Sequence, residues 1–258
     1  MISDIKIFLW LLKLGALVNL YFFFQTLFPP LIFIKTEILV SAQILFIVSG
    51  FRCLFPNSYR NNIVLHNSLL SSIFLTRLLA TFSEIALVFL FAHLIRLLNS
   101  HQVLWLNILS WLMVFQVIVS QGFVWGAILT KRIKFYFYEE LGWGLIYTFN
   151  MIASIYLYVT IDNFYSHEIL IKLGILFGFI YLPWQFFHLR SIWLDQIKTN
   201  VEKNINWAMI IEGLHQSIHK RNKTTEYDKW GGFIGITWMI GYWVALIPLW
   251  VYLIIQRV

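Results

Sequence analysis

LLSSIFLTRLLATFSEIALVFLFAHLIRLL, residues 69–98, holds only three formally charged side chains, Arg77, Glu84 and Arg96. A helix needs roughly 20 mainly apolar residues to cross a hydrocarbon core of about 30 Å. This stretch exceeds that and has length left over for tilt. Six further runs meet the same requirement: Ile5–Phe28, Ile38–Leu54, Val103–Thr130, Leu141–Ile161, Ile169–Phe187 and Trp230–Ile255. Pro29-Pro30 closes the first run and Pro56 follows the second, at places where a missing backbone N–H costs little. The runs are too long, and alternate too little, for the strands of a membrane barrel. The fold expected is an all-α polytopic bundle of seven spans, one integral membrane domain over residues 1–258.

Composition agrees with that reading. The 258 residues are 60% apolar and 12% charged, against about 45–50% and about 25% in soluble domains. Disordered, collagen-like and disulfide-scaffold classes are excluded by the same figures. The first apolar run exceeds the roughly 7–15-residue core of a signal peptide, and no small-x-small site follows it. It is read as a retained helix.

Lys and Arg set the orientation. With seven spans, one side collects Lys6, Arg52, Arg60, Lys131, Arg132, Lys134, Arg190, Lys198, Lys203, Lys220, Arg221, Lys223 and Lys229. The other side has Lys35, Arg96, Lys172 and Arg257. The N-terminus is therefore expected in the cytoplasm. The net charge of +7 is spread through short loops beside the membrane. Anionic lipid headgroups account for it, and no nucleic-acid partner is implied. The single cysteine, Cys53, cannot form an internal disulfide and is read as inert packing.

The longest stretch between spans is 188–229, with 189–229 expected as a cytoplasmic loop. Within it Trp207, Ile210, Ile211, Leu214 and Ile218 recur at helical spacing, the pattern of an amphipathic helix lying in the interface. Residues Arg221–Lys229 read as polar loop.

Polar groups inside the spans are candidates for function by default. Arg77, Thr81 and Glu84 fall on one stripe of the third span, with about 10 Å of helix axis between Arg and Glu. The stripe suits a polar clamp that fixes helix register, or a substrate, proton or ion site. Glu140, Trp143, Tyr147, Asn150 and Ser154 track one face of the fifth span, with Glu139 beside its cytoplasmic mouth. Tyr181, Trp184, Gln185 and His188 share a face of the sixth, where Pro183 is expected to kink the helix. Gln116, Ser120 and Gln121 add polar groups to the fourth. Were these stripes to converge, they would line a pocket open to the cytoplasm.

Other chemistry is sparser. Glu212, His215 and His219 lie at i, i+3 and i+7, a spacing that would hold a metal ion with His188 as a further ligand. The default for such residues on an interfacial helix is solvated His. His66, His93 and His188 differ in depth, which opposes haem ligation between spans. No nucleophile elbow, phosphate loop or dinucleotide fingerprint is present, so these motifs leave the cofactor unknown. Gly231 and Gly235 form a small-x-x-x-small motif, suited to close helix packing within the chain or in an oligomer.

Three function classes follow. The first is an enzyme acting on a lipid or isoprenoid-like molecule, with Glu84 as acid–base group and Arg77 on an anionic headgroup. Glu140 and Asn150 would orient its substrate. The second is a solute or proton-coupled transporter or channel, and the third a scaffold subunit without chemistry of its own. The partners expected are membrane lipids and a hydrophobic small molecule.

Overall fold

A computed structural model describes residues 4–28, 36–160, 168–198, 204–244 and 246–257. Pro29-Pro30, Lys35, His167 and Lys203 lie outside the described residues. The long apolar runs are helices: α1 (Lys6–Leu27), α2 (Thr36–Leu54), α3 (Ile73–Leu98), α4 (Leu104–Thr130), α5 (Ile133–Thr160) and α6 (Glu168–Lys198). The shorter α7 (Trp207–His219) follows, and α8 (Gly232–Arg257) closes the chain. Six of these, α1–α4, α6 and α8, are long and apolar enough to cross a membrane. That makes this an integral, multi-pass membrane protein. The 28-residue α5 is as long as they are, but its Tyr, Trp, Gly and Asn residues lower its hydropathy.

The backbone also departs from the expected boundaries. Leu69–Ser71 is a 3-10 turn ahead of α3. Helix α5 begins eight residues before the expected span, and α6, helical through Pro183, runs eleven residues past its own. Both extensions are rich in charged and aromatic residues, which blur a hydropathy edge without breaking a helix.

The chain divides into two compact units. The first comprises Met1–Ser83, Ile128–Lys131 and Asn204–Tyr252; the second Glu84–Ala127, Arg132–Lys203 and Leu253–Val258.

In the first unit α1 and α2 pack antiparallel. Phe22 lies against Phe46, and the backbone of Gly50 approaches Asn19. Helix α8 is α-helical over Gly232–Trp238, π-helical over Met239–Val244 and α-helical again from Leu246. The π segment precedes Pro248, which has no N–H to offer the turn before it. The carbonyl of Trp243 instead accepts from Asn19 Nδ2 at 2.7 Å and Cys53 Sγ at 3.6 Å. Arg52 stacks over the Trp243 ring at 4.6 Å. The motif at Gly231 and Gly235 serves the chain's own turn. Gly231 has φ +84, the left-handed conformation that glycine adopts at no steric cost. A side chain at Gly235 would strike the carbonyl of Trp230.

The loops of this unit are knitted together. β1 (Asn57–Ser58) pairs antiparallel with β2 (Ile63–Val64), and β2 pairs parallel with β3 (Asn222–Lys223). Ile5 N donates to Thr225 O, and Trp230 Nε1 to Thr224 O. Residues 221–229 are thus not the plain polar loop expected. Their order comes from partners about 160 positions away along the chain, which no local pattern reports. Helix α7 packs its Gly213 onto the carbonyl of Leu129 and leaves Trp207, Ile211 and Leu214 exposed.

His66 belongs to the same loop layer, edge-on to Trp10 at 5.5 Å and to Phe55 at 6.4 Å. Burial, then the charges of Lys13 and Lys223, hold its imidazole below its ordinary value of 6.5. The depressed folded value means that the unfolded chain takes up the proton first. Stability is therefore full above about 6.5 and is lost as pH falls below it toward the folded value. Thermal unfolding in detergent between pH 5 and pH 8 should show this acid limb, and His66→Phe should reduce it. An unchanged acid limb in that variant would place the titration elsewhere.

Candidate functional site

The second unit holds most of the polar stripes read from the sequence. Helices α5 and α6 run antiparallel along their length. Trp193 meets Phe137, Gln185 meets Glu140, Tyr181 meets Tyr147 and Gly174 meets Ser154. The buried positions of α5 include Tyr136, Glu140, Trp143, Tyr147, Asn150, Ala153, Ser154 and Leu157. This three–four alternation is the seam that lets two helices stay in contact. Gly174 sets the distance: a Cβ there would stand 2.7 Å from Ser154 Oγ. The Gly174-x-x-x-Gly178 pair is the sequence signal for this close contact.

At the contact between these two helices Glu140 is 7% exposed and Gln185 1%. Gln185 Nε2 donates to the Glu140 backbone carbonyl at 2.6 Å and to Glu140 Oε2 at 3.0 Å. His188 Nε2 stands 3.5 Å from Glu140 Oε1. Among the described residues no Lys or Arg meets this carboxylate. Gln185 and His188, three positions apart on α6, grip it from one side.

A second buried carboxylate lies on α3. Glu84, 5% exposed, accepts from Gln121 Nε2 of α4 at 2.9 Å. Helix α4 reaches α5 as well, since a Cβ at Gly142 would meet Ser120 Oγ and would lie 2.6 Å from Gln116 Nε2. The buried Tyr181 ring stands among aromatic neighbours, Tyr147 at 4.3 Å and Trp184 at 5.7 Å, with Trp184 5.3 Å from His188.

The unit holds Glu84, Glu140 and Asn150 of the expected site residues, all buried. Arg77 is buried too, but falls in the first unit, where its backbone carbonyl accepts from Thr81 Oγ1 at 3.0 Å. Of the proposed metal ligands, His188 faces Glu140. His215 and His219 lie ring to ring at 4.7 Å on α7, and Glu212 accepts from Gln216 Nε2 at 2.7 Å. Among the described residues no group of three or more His, Cys, Asp or Glu side chains is arranged to hold a metal ion.

Chemically, a carboxylate gripped by an amide and an imidazole, within an aromatic wall, can orient a proton donor and move a proton. No protein-family model, curated protein or solved structure matches the chain, so its function has to be argued from these side chains.

Proposed function

We propose that the protein is a membrane enzyme that acts on a lipid or isoprenoid-like substrate, with Glu140 and His188 as its acid–base pair. The observation that carries this is Glu140 itself. It is a buried carboxylate held by Gln185 and His188, and among the described residues no fixed cation neutralises it. Glu84, held by Gln121, is the second carboxylate of the centre, and Asn150 lies further along the face of α5 that bears Glu140. The apolar walls that such a substrate needs are supplied by the spans.

We place seven spans in the membrane, counting α5, with the N-terminus in the cytoplasm. The antiparallel run of α5 along α6 supports a crossing for α5. The pairing of residues near 5, 57–64, 131 and 222–226 supports a common side for the basic loops. On that topology Glu140 and His188 lie toward the cytoplasmic leaflet. Carboxylates held by neutral amides also suit a proton-coupled carrier, and the same variant separates the two readings.

Lipid profiles of membranes carrying wild-type protein should show one species consumed and a product gained. Glu140→Gln should lower that conversion by about a hundredfold or more while the protein purifies with an unchanged melting temperature. No lipid conversion, combined with solute or proton flux in proteoliposomes that Glu140→Gln removes, would replace the enzyme with the carrier.

A further inference from the structure

Two acceptor atoms beside Glu140 have no hydrogen-bond donor among the described residues, Gln185 Oε1 and His188 Nδ1. Both side chains are on α6, and the other polar atom of each faces the same carboxylate. An amide flip would not repair Gln185. It would turn the oxygen onto the Glu140 carbonyl and carboxylate oxygens, where only a donor fits. His188 Nε2 likewise carries its proton toward Glu140, which makes Nδ1 the acceptor atom of that tautomer. Buried polar atoms within a membrane span are ordinarily satisfied. Two buried acceptors beside one carboxylate favour a ligand that brings hydrogen-bond donors.

That ligand must bring donors. An anion or a carbonyl brings none. An alcohol brings one hydrogen, whereas a protonated primary amine brings three and a positive charge for Glu140. Charge-assisted hydrogen bonds are roughly twice as strong as neutral ones. The Trp184 ring, 5.3 Å from His188, is of the kind that attracts a cation and does little for an alcohol.

We propose that Glu140, Gln185 and His188 bind the protonated primary amine of an amphiphile, whose apolar chain lies along the membrane spans. The proposal rests on Glu140 being the substrate-binding centre and deepens that reading by naming the headgroup chemistry.

The test is native mass spectrometry of the full-length protein in mild non-ionic detergent, titrated in parallel with octadecylamine and 1-octadecanol. The amine should be retained at about one-tenth of the concentration needed for the alcohol. Gln185→Leu and His188→Phe should each remove that preference. His188→Asn, whose side-chain oxygen can take the place of Nδ1, should keep it. If Gln185→Leu does not fold, the two His188 variants decide alone, because that side chain is less deeply buried, 15% exposed. Equal retention of amine and alcohol, no retention of the amine, or a preference that survives His188→Phe would each overturn the proposal. Selective retention of phosphatidylethanolamine over phosphatidylcholine would assign the amine to a phospholipid headgroup. Retention of octadecylamine alone would assign it to a free long-chain amine; both outcomes support the site. Amine preference without Glu140-dependent conversion would remove the enzyme and leave the binding site standing. Conversion lost in Glu140→Gln without amine preference would do the reverse.

Discussion

Asn19→Leu is expected to destabilise the first unit by about 2–3 kcal/mol, the cost of leaving a buried backbone carbonyl without its donor. The carbonyl at stake is that of Trp243, in the π segment of α8. Pro248 has no N–H for the preceding turn, and the wide π turn shifts the remaining N–H groups out of α-helical register. Asn19 Nδ2 fills the gap at 2.7 Å while also donating to its own helix at Gly15 O, 2.8 Å away. Leucine matches asparagine in size and removes only the polar atoms, so the loss reports the hydrogen bond and not a cavity. Cys53→Ala is the comparison. Its thiol reaches the same carbonyl at 3.6 Å, and a thiol is a weak donor. Its cost should be about 1 kcal/mol, mostly from the missing sulfur volume. Unfolding of both variants in detergent, with amide exchange followed around Trp243, checks the order. An Asn19→Leu protein within about 0.5 kcal/mol of wild type, the range of ordinary surface changes, would sink the account.

The difference between what was legible in the sequence and what was not has a physical pattern. Glu140, Trp143, Tyr147, Asn150 and Ser154 could be placed on one face because helical spacing is local, and all five are buried. The partners of that face could not be placed. Gln185 lies 45 positions from Glu140, and only the register of α5 against α6 brings them together. His188 illustrates the limit well. Its position near the end of a span suited a metal ligand as readily as a partner for Glu140. Arg77 and Glu84 were joined by their stripe, yet the contacts divide the stripe between two units. Helix periodicity reports which residues share a face, and nothing about what packs on that face further along. Asn19 had a readable signal, a lone amide deep in an apolar run, which must find a partner. The partner itself, a carbonyl freed by a π turn, had none.

Glu84 is where register clamp and working carboxylate can be told apart, and a double-mutant cycle with Gln121 does so. Gln121→Leu removes the donor at 2.9 Å from a carboxylate that is 5% exposed, and should cost about 1.5–3 kcal/mol. Glu84→Leu alone takes this acceptor from the Gln121 amide. Removing both groups replaces the bonded pair by an apolar one, and such pairs are often as stable as the polar ones they replace. The double variant should therefore be more stable than the sum of the singles predicts, by about 1–2 kcal/mol. Additivity within about 0.5 kcal/mol would mean that the bond is not formed in solution. The folded double variant then answers the functional question. If it keeps the conversion that depends on Glu140, Glu84 fixes the register of α3 against α4 and nothing more. If conversion falls about a hundredfold in a protein that melts normally, the carboxylate takes part in the chemistry. The second result is the one expected, because Glu84 is a buried carboxylate in the same unit as Glu140 and, like Glu140, accepts from a glutamine amide.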